Sequence, residues 1–365
     1  MILHLYFARK FAAAFFSLAG LFLVFLTLVD MVDQLRRYDG EVSAGEALHL
    51  AALTVSGSLY GILPIVVALA TLVLFLGLAR SSELVVVRAS GRSALRSLIG
   101  PVATAFIFGV LGVTVLNPIV AGTARQYEKV VAHYRNDTRN VLSISGEGLW
   151  LRQGAPGGQT VIRAAQANLD GTRFFNVTFL SFDANGRPSD RIEAAHAVLE
   201  QGYWRIEEAK RWPLGVAGAN PERDASTHAE ITLPSDLTQE RIRDSFGTPS
   251  AIPVWKLPEF IAALERAGFS TRHHRVWLNM ELALPLMFVA MVLIGAGFTM
   301  RHTRSGHTGL MVVLALAMTL ALFFLRNFAQ VLGENGQIPV LLAAWAPPLV
   351  GMFLSLALLL HLEDG

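Results

Sequence analysis

The 365 residues carry 16% charged side chains against 53% hydrophobic ones, and a mean hydropathy of +0.47 excludes an ordinary soluble domain. A formal net charge of +2 supplies no field for holding nucleic acid, which is not expected as a partner. With no cysteine, a disulfide framework, a thiol nucleophile and a cysteine metal site are all excluded.

The first apolar run, Phe11–Val29, has no charged residue. It is longer than the core of a secretory signal, and Asp30, Met31 and Val32 follow it where a small-x-small cleavage site would stand. It therefore reads as a retained first span. Next comes Asp30-Met-Val-Asp33-Gln-Leu-Arg36-Arg37. If the helix continues, residues 30, 33 and 37 fall within about 60° of one another, and Asp33 and Arg37 form an i,i+4 pair. A charged rim at the mouth of an apolar bundle suits a ligand with an anionic head and greasy tails, because an arginine fork bonds two phosphate oxygens at once. A simple interfacial anchor is the plainer reading.

Ala47–Ala79 is longer, with His49 as its only acidic or basic side chain. A crossing needs about 20 residues, so this run is expected to begin as an interfacial helix and to cross at about Leu59–Ala79. In the loop that follows, Ser82 reads as an N-cap and Gly91 as a stop, which predicts a helix of about two turns over residues 82–91. Glu83 suits its positive end. Leu84, Val85 and Val87 form an apolar side suited to the membrane or to a groove on a soluble partner; a juxtamembrane loop is the plainer reading. Ser97–Ala124 then completes a first group of three spans.

From Arg125 to Arg275 the pattern changes. Thr160–Arg163, Phe174–Phe182, Arg191–Leu199 and Tyr203–Glu208 alternate apolar and polar residues, separated by turn formers at Gly154–Gly158, Asn168–Gly171, Asn185–Pro188 and Ala217–Pro221. This predicts an antiparallel sandwich, jelly roll or open barrel. Arg125–Arg139 and Pro258–Ala267 look helical and would connect it to the spans. Leu282–Met300, Thr308–Leu325 and Ile338–Leu360 are again uncharged and supply three more spans. Phe22 and Phe25 in the first span, and Phe323, Phe324 and Phe328 at the outer end of the fifth, are candidates for a substrate cavity; lipid contact or neighbour packing is the plainer reading. The expected fold is thus a six-span α-helical membrane protein with an inserted antiparallel β domain. Spans one to three occupy residues 1–124, the insert 125–275, and spans four to six 276–365.

Basic residues in short loops set orientation. One face collects Arg9, Lys10, Arg80, Arg88, Arg92, Arg96, Arg301 and Arg304, the other Arg36, Arg37 and Arg326. Both termini are therefore expected in the cytoplasm and the insert outside. None of Lys10, Lys129, Lys210 and Lys256 follows a glycine, so no phosphate loop exists. There is no Gly-x-Ser-x-Gly elbow and no His-Glu-x-x-His pair. The apolar runs hold no ionisable group near mid-bilayer, which argues against intramembrane catalysis and against proton-coupled transport. No catalytic residue, metal or cofactor is expected; if the chain moves something, the energy comes from elsewhere.

Ser81-Ser-Glu-Leu-Val-Val-Val-Arg-Ala-Ser-Gly91 resembles the cytoplasmic coupling segment of the YjgP/YjgQ permease family, the LptF and LptG subunits of the lipopolysaccharide exporter. Val32-Asp-Gln-Leu-Arg-Arg37 closely resembles the end of the first span on the LptG side of that family, and Gly148-Leu-Trp150 resembles the entry to its periplasmic domain. Three spans, a periplasmic β-jellyroll and three more spans are similar to its topology. The sequence departs from the resemblance at Asp30, where a basic residue is expected, and at Arg326, where an acidic one is. The resemblance implies an ABC-transporter permease of the bacterial inner membrane that pairs with an LptF-like subunit and recruits an LptB-like ATPase dimer. Such a pair extracts lipopolysaccharide from the outer leaflet and passes it to LptC- and LptA-like periplasmic proteins. It further implies that Glu83, Leu84, Val87 and Arg88 couple to the ATPase. Asp33, Arg36 and Arg37 would then meet the head group, and Phe22, Phe25, Phe323, Phe324 and Phe328 the acyl chains. The competing readings are the sister LptF-type subunit, a mechanotransmission permease of the MacB or FtsX kind, and a non-transporting membrane scaffold.

Overall fold

The computed structural model describes all residues except 1, 38–42, 84–85, 88–92, 135–142, 146–147, 156–157, 169–171, 216–219, 236, 239–241, 243–247, 267–268, 301–307 and 365. The helices α1 (Ile2–Arg37) and α2 (Ala44–Arg80) come first. They are followed by α3 (Ala94–Leu111), a π-helical turn (Gly112–Leu116) and α4 (Asn117–Tyr134). Then come seven strands: β1 (Ser143–Ser145), β2 (Gly148–Ala155), β3 (Gly158–Ala167), β4 (Arg173–Asp183), β5 (Pro188–Glu200), β6 (Tyr203–Pro213) and β7 (Ser226–Pro234). The short helix α5 (Leu257–Arg266) precedes α6 (Arg272–Thr299), α7 (Thr308–Glu334) and α8 (Val340–Asp364). The chain divides into a bundle of Met1–Tyr127 with Arg272–Gly365 and an insert of Glu128–Thr271.

Among the described residues six helices are long and apolar enough to cross a membrane, the third of them running through α3, the π turn and α4. Each outruns the uncharged stretch that announced it, because a helix continues through flanking polar residues once its backbone bonds propagate. Two expectations change as a result. The run from Ala47 has no separate interfacial helix: α2 is continuous from Ala44, started by a capping box at Ser43 and Glu46. Its first turns bury Ala47, Leu50, Ala51 and Val55 in the bundle instead of lying on a surface. Arg326 belongs to no loop, since α7 runs on to Glu334.

Within the bundle α6 is the most buried span and α1 the least. α6 packs against α2, α3, α7 and α8, while α1 packs against α2 and α3. A Cβ added at Gly109 would lie 2.4 Å from the Cα of Pro285, so only glycine lets the α3 and α6 backbones meet there.

In the insert, β1 to β7 form one sheet in sequence order with every pairing antiparallel. The expected antiparallel insert is thus a continuous meander, longer in each strand than its alternating stretch. The sheet buries Leu149, Ile162, Phe174, Phe179, Trp204 and Ile206 on one side, joined by Leu264 of α5. Trp204 is wholly buried, and its indole N–H donates to Gln153 Oε1 at 3.1 Å, so its one polar atom is satisfied.

A crease crosses this sheet. Buried residues should recur every second position, yet the pattern slips by one in four successive strands. The slips fall between Ala164 and Ala167, Phe174 and Val177, Ala194 and Ala197, and Ile206 and Ala209. The ladders skip a pair at the same row, at Ala165, Asn176, Ala195 and Glu208. Asn176 and Glu208 take left-handed backbone angles there, φ 51° and 54°. Each such residue costs about 1–3 kcal/mol and persists because bending at one row lets both halves of every strand keep their apolar residues on the core side.

Candidate functional site

The junction after α2 is built on Glu83. The final turn of α2 closes at Ser81, and Ser82 turns the chain in a left-handed conformation with φ 59°. The Ser82 carbonyl then accepts from the Val86 N–H at 3.3 Å, so Ser82 stands at the start of a new helical turn that includes Glu83, Val86 and Val87. The Glu83 carboxylate accepts from Tyr6 Oη at 2.9 Å, from Lys10 Nζ at 2.9 and 3.1 Å, and from Ser81 Oγ at 2.9 Å. The Lys10 ammonium also stacks 4.6 Å from the Tyr6 ring centre. The bond from Lys10 holds the Glu83 carboxyl below the usual carboxylate range, helped by Tyr6 and Ser81 and opposed by partial burial. Val87 is buried and Val86 exposed. Leu84, Val85, Arg88 and the stop expected at Gly91 lie outside the described residues. Tyr6 and Lys10 were not singled out from sequence; only the packing of α1 beside α2 brings them to Glu83.

At the other end of α1, Arg37 Nη2 and Asp33 Oδ2 form the i,i+4 ion pair at 3.1 Å, both side chains exposed. Arg36 is exposed and makes no ion pair among the described residues. Asp30 and Gln34 instead turn toward the bundle. Asp30 Oδ2 accepts from Thr54 Oγ1 at 3.1 Å and from Ser58 Oγ at 3.3 Å, and buried Gln34 accepts from Tyr127 Oη at 3.4 Å. Asp30 therefore anchors α1 to α2, while Asp33, Arg36 and Arg37 stay outward. Asp30 lies within about 20° of Arg37 around the helix, so it is the hydroxyl partners on α2, not the helix period, that set it apart from the outward ion pair.

The aromatic candidates divide between two helices. Phe25 is 58% exposed and lies in an α1 stripe with Leu21, Val24, Leu28 and Val32; Phe22 is half-buried beside it. On α7, Phe324 is 65% exposed and Phe328 61%, with Phe323 half-buried and its ring 6.1 Å from that of Phe324. The two sets sit on helices with different neighbours, α1 beside α2 and α3, α7 beside α6, α8 and α2.

One part of the bundle extends the sequence reading. His49 is the only acidic or basic side chain of the apolar runs, but the helices run past those stretches and take in Glu281 and Arg326. Glu281 in α6 is 1% exposed and accepts a short hydrogen bond from Tyr60 Oη of α2. Asn117, at the end of the π turn, lies within hydrogen-bonding reach of both, and Arg326 of α7 acts on both electrostatically. Glu281 directly precedes Leu282–Met300 and Arg326 directly follows Thr308–Leu325, so each read as a flanking charge. No group of three or more metal-ligating side chains occurs among the described residues.

The site thus consists of a tied junction at one end of α1, a charged rim at its other end and apolar faces left exposed on α1 and α7. The model of the family described as lipopolysaccharide export system permease LptF/LptG matches residues 5–361. The chain is similar to the lipopolysaccharide export system permease protein LptG of Escherichia coli strain K12, at 23% identity over 336 residues covering 90% of this chain and 88% of that one. It is also similar to the protein of the same name in Haemophilus influenzae, at 22% identity over 349 residues covering 91% and 92%. The chain belongs to the LptF/LptG family of lipopolysaccharide export system permeases.

Proposed function

We propose that the chain is the LptG-type half of a permease that lifts lipopolysaccharide from the outer leaflet of the bacterial inner membrane. An LptF-like subunit completes the gate, and an LptB-like ATPase dimer docks on the segment that begins at Glu83. Both termini lie in the cytoplasm, and the sheet domain lies in the periplasm, where it hands the lipid to LptC- and LptA-like proteins. Each methylene of an acyl chain costs about 0.8 kcal/mol to expose to water, so the path needs an apolar groove and an outside source of energy.

The observation that carries this reading is that Glu83 is tied to the start of α1 through Tyr6 and Lys10. α1 is one unbroken helix of 36 residues, rising about 1.5 Å per residue, with Arg36 and Arg37 at its far end. Motion imposed at Glu83 is thereby passed along a rod to the charged rim and to the open Phe22–Phe25 face. Arg36 and Arg37 meet phosphates or acidic sugars, Asp33 joins the head-group contact through its pair with Arg37, and Phe323, Phe324 and Phe328 meet acyl chains. Leu84, Val87 and Arg88 complete the ATPase contact.

In reconstituted vesicles, Glu83→Ala is expected to assemble with its partner subunits and to lose ATP-driven lipopolysaccharide release. Normal release by that variant overturns the coupling role. A photocrosslinker at Arg36 or Phe324 is expected to capture a lipid-sized adduct, and its consistent absence in complexes that still export counts against the path. Recovery of an ATPase and a second six-span chain on purification in mild detergent separates this reading from a scaffold.

A further inference from the structure

The polar group at Tyr60, Asn117, Glu281 and Arg326 has no part in the path described above, yet it places ionisable side chains inside the spans. A carboxyl group and a guanidinium inside a span are costly to keep out of water, and such groups are kept where they hold one another. Here they come from different helices. Tyr60 of α2 donates to Glu281 of α6, the buried Asn117 lies within hydrogen-bonding reach of both, and half-buried Arg326 of α7 lies within electrostatic reach of both Glu281 and Tyr60.

A second observation points to the same place. The third span is α-helical except for the π turn Gly112–Leu116, which ends on Asn117, whose N–H donates to the Gly112 carbonyl. A π turn adds one residue, which rotates everything beyond it by about 100°. That rotation accompanies an Asn117 side chain that is 1% exposed, on a helix held against α6 by the contact of Gly109 with Pro285. An asparagine turned inward by an irregular helix is a built feature of this site.

The position of Arg326 on α7 says what the group does. Leu322 and Ala329, one turn to either side, are buried, whereas Phe324 and Phe328 are exposed. Arg326 therefore marks the inward face and the aromatic pair the outward one. We propose that Tyr60, Asn117, Glu281 and Arg326 form a clasp within the subunit that fixes the rotation of α7 against α2 and α6, and so decides where Phe324 and Phe328 point. They are positioning residues. The inference rests on the reading that the α7 aromatic face borders the lipid path, but the clasp itself is tested without that reading.

The absence of cysteine allows spin labels at Val73→Cys on α2 and Val313→Cys on α7, both exposed positions, in the assembled complex. The parent is expected to give one narrow distance distribution. Glu281→Gln, Arg326→Gln and Tyr60→Phe, each close in shape to the original, are expected to broaden or shift it. The double variant Glu281→Arg with Arg326→Glu, which restores opposite charges, is expected to narrow it again. In vesicles doped with lipopolysaccharide, release should fall by about tenfold or more in the single variants and recover in the double one. Unchanged distances in the three single variants overturn the clasp, as does a charge-swapped complex that assembles with its distances still broad. If that complex does not assemble, the three single variants decide. Altered distances with unaltered release and an unaltered Phe324 adduct keep the clasp and overturn the lipid path along α7.

Discussion

Glu83 and Glu281 both join helices through their carboxylates, and their surroundings differ in almost every respect. Glu83 keeps a third of its side chain exposed and meets an equally accessible Lys10, 40% exposed, at 2.9 Å. Glu281 is 1% exposed and is met by a phenol, an amide and the field of an arginine. The first contact is screened by water and salt and is worth about 0.2–1 kcal/mol. The second has no water to replace a lost partner, so removing any one member leaves a buried group unsatisfied. A tie that must open and close during a transport cycle suits the first arrangement. One that must hold a helix at a fixed rotation suits the second.

The largest expected effect comes from Glu281→Ala, which leaves Arg326, Tyr60 and Asn117 facing a cavity. It should destabilise the bundle by about 3–5 kcal/mol, read as a fall in thermal midpoint in detergent. A midpoint within error of the parent removes the contrast between the two carboxylates. Tyr60→Phe deletes one donor and keeps the volume, and its loss should be about 1–3 kcal/mol. Paired with Glu281→Gln in a double-mutant cycle it should prove strongly non-additive; simple additivity would mean that the two side chains act apart.

Glu83→Ala should change stability, read from the same midpoint, by less than about 1 kcal/mol while abolishing ATP-driven release. A large loss of stability instead would place Glu83 with Glu281 as a structural residue. The smallest effect is one of pH. Because Lys10 holds the Glu83 carboxyl below its ordinary value, the tie contributes fully above the unfolded carboxylate value of about 4.3. It is lost as pH falls through the depressed folded value. An infrared or NMR titration of Glu83 should show a midpoint below that of an exposed glutamate, moving up in Lys10→Met. The same midpoint in both forms would show that Lys10 does not stabilise the charge.

Hydropathy alone revealed six spans and the place of the insert, since bilayer thickness sets a length that local composition either meets or does not. The Asp33–Arg37 pair was legible for a similar reason, being a consequence of helix period at a separation of four. Alternation exposed the antiparallel insert, but the crease was not visible. Asn176 and Glu208 look like ordinary polar strand residues, and the slip at Ala164, Phe174, Ala194 and Ile206 becomes a row only when the strands are in register.

The remaining features depended on partners far apart in the chain. Lys10 and Glu83 are separated by 73 positions, and Tyr60 and Glu281 by 221. No periodicity relates such pairs. The sequence by itself determined that this chain crosses a membrane six times around a β-rich insert, because burial in lipid is a property of each segment alone. Only the tertiary structure decided that Glu83 is bound to α1 and that Glu281 and Arg326 lie inside the spans. Helix packing chooses which faces meet, and a charge at the edge of an apolar run looks the same in sequence whether it faces water or a partner.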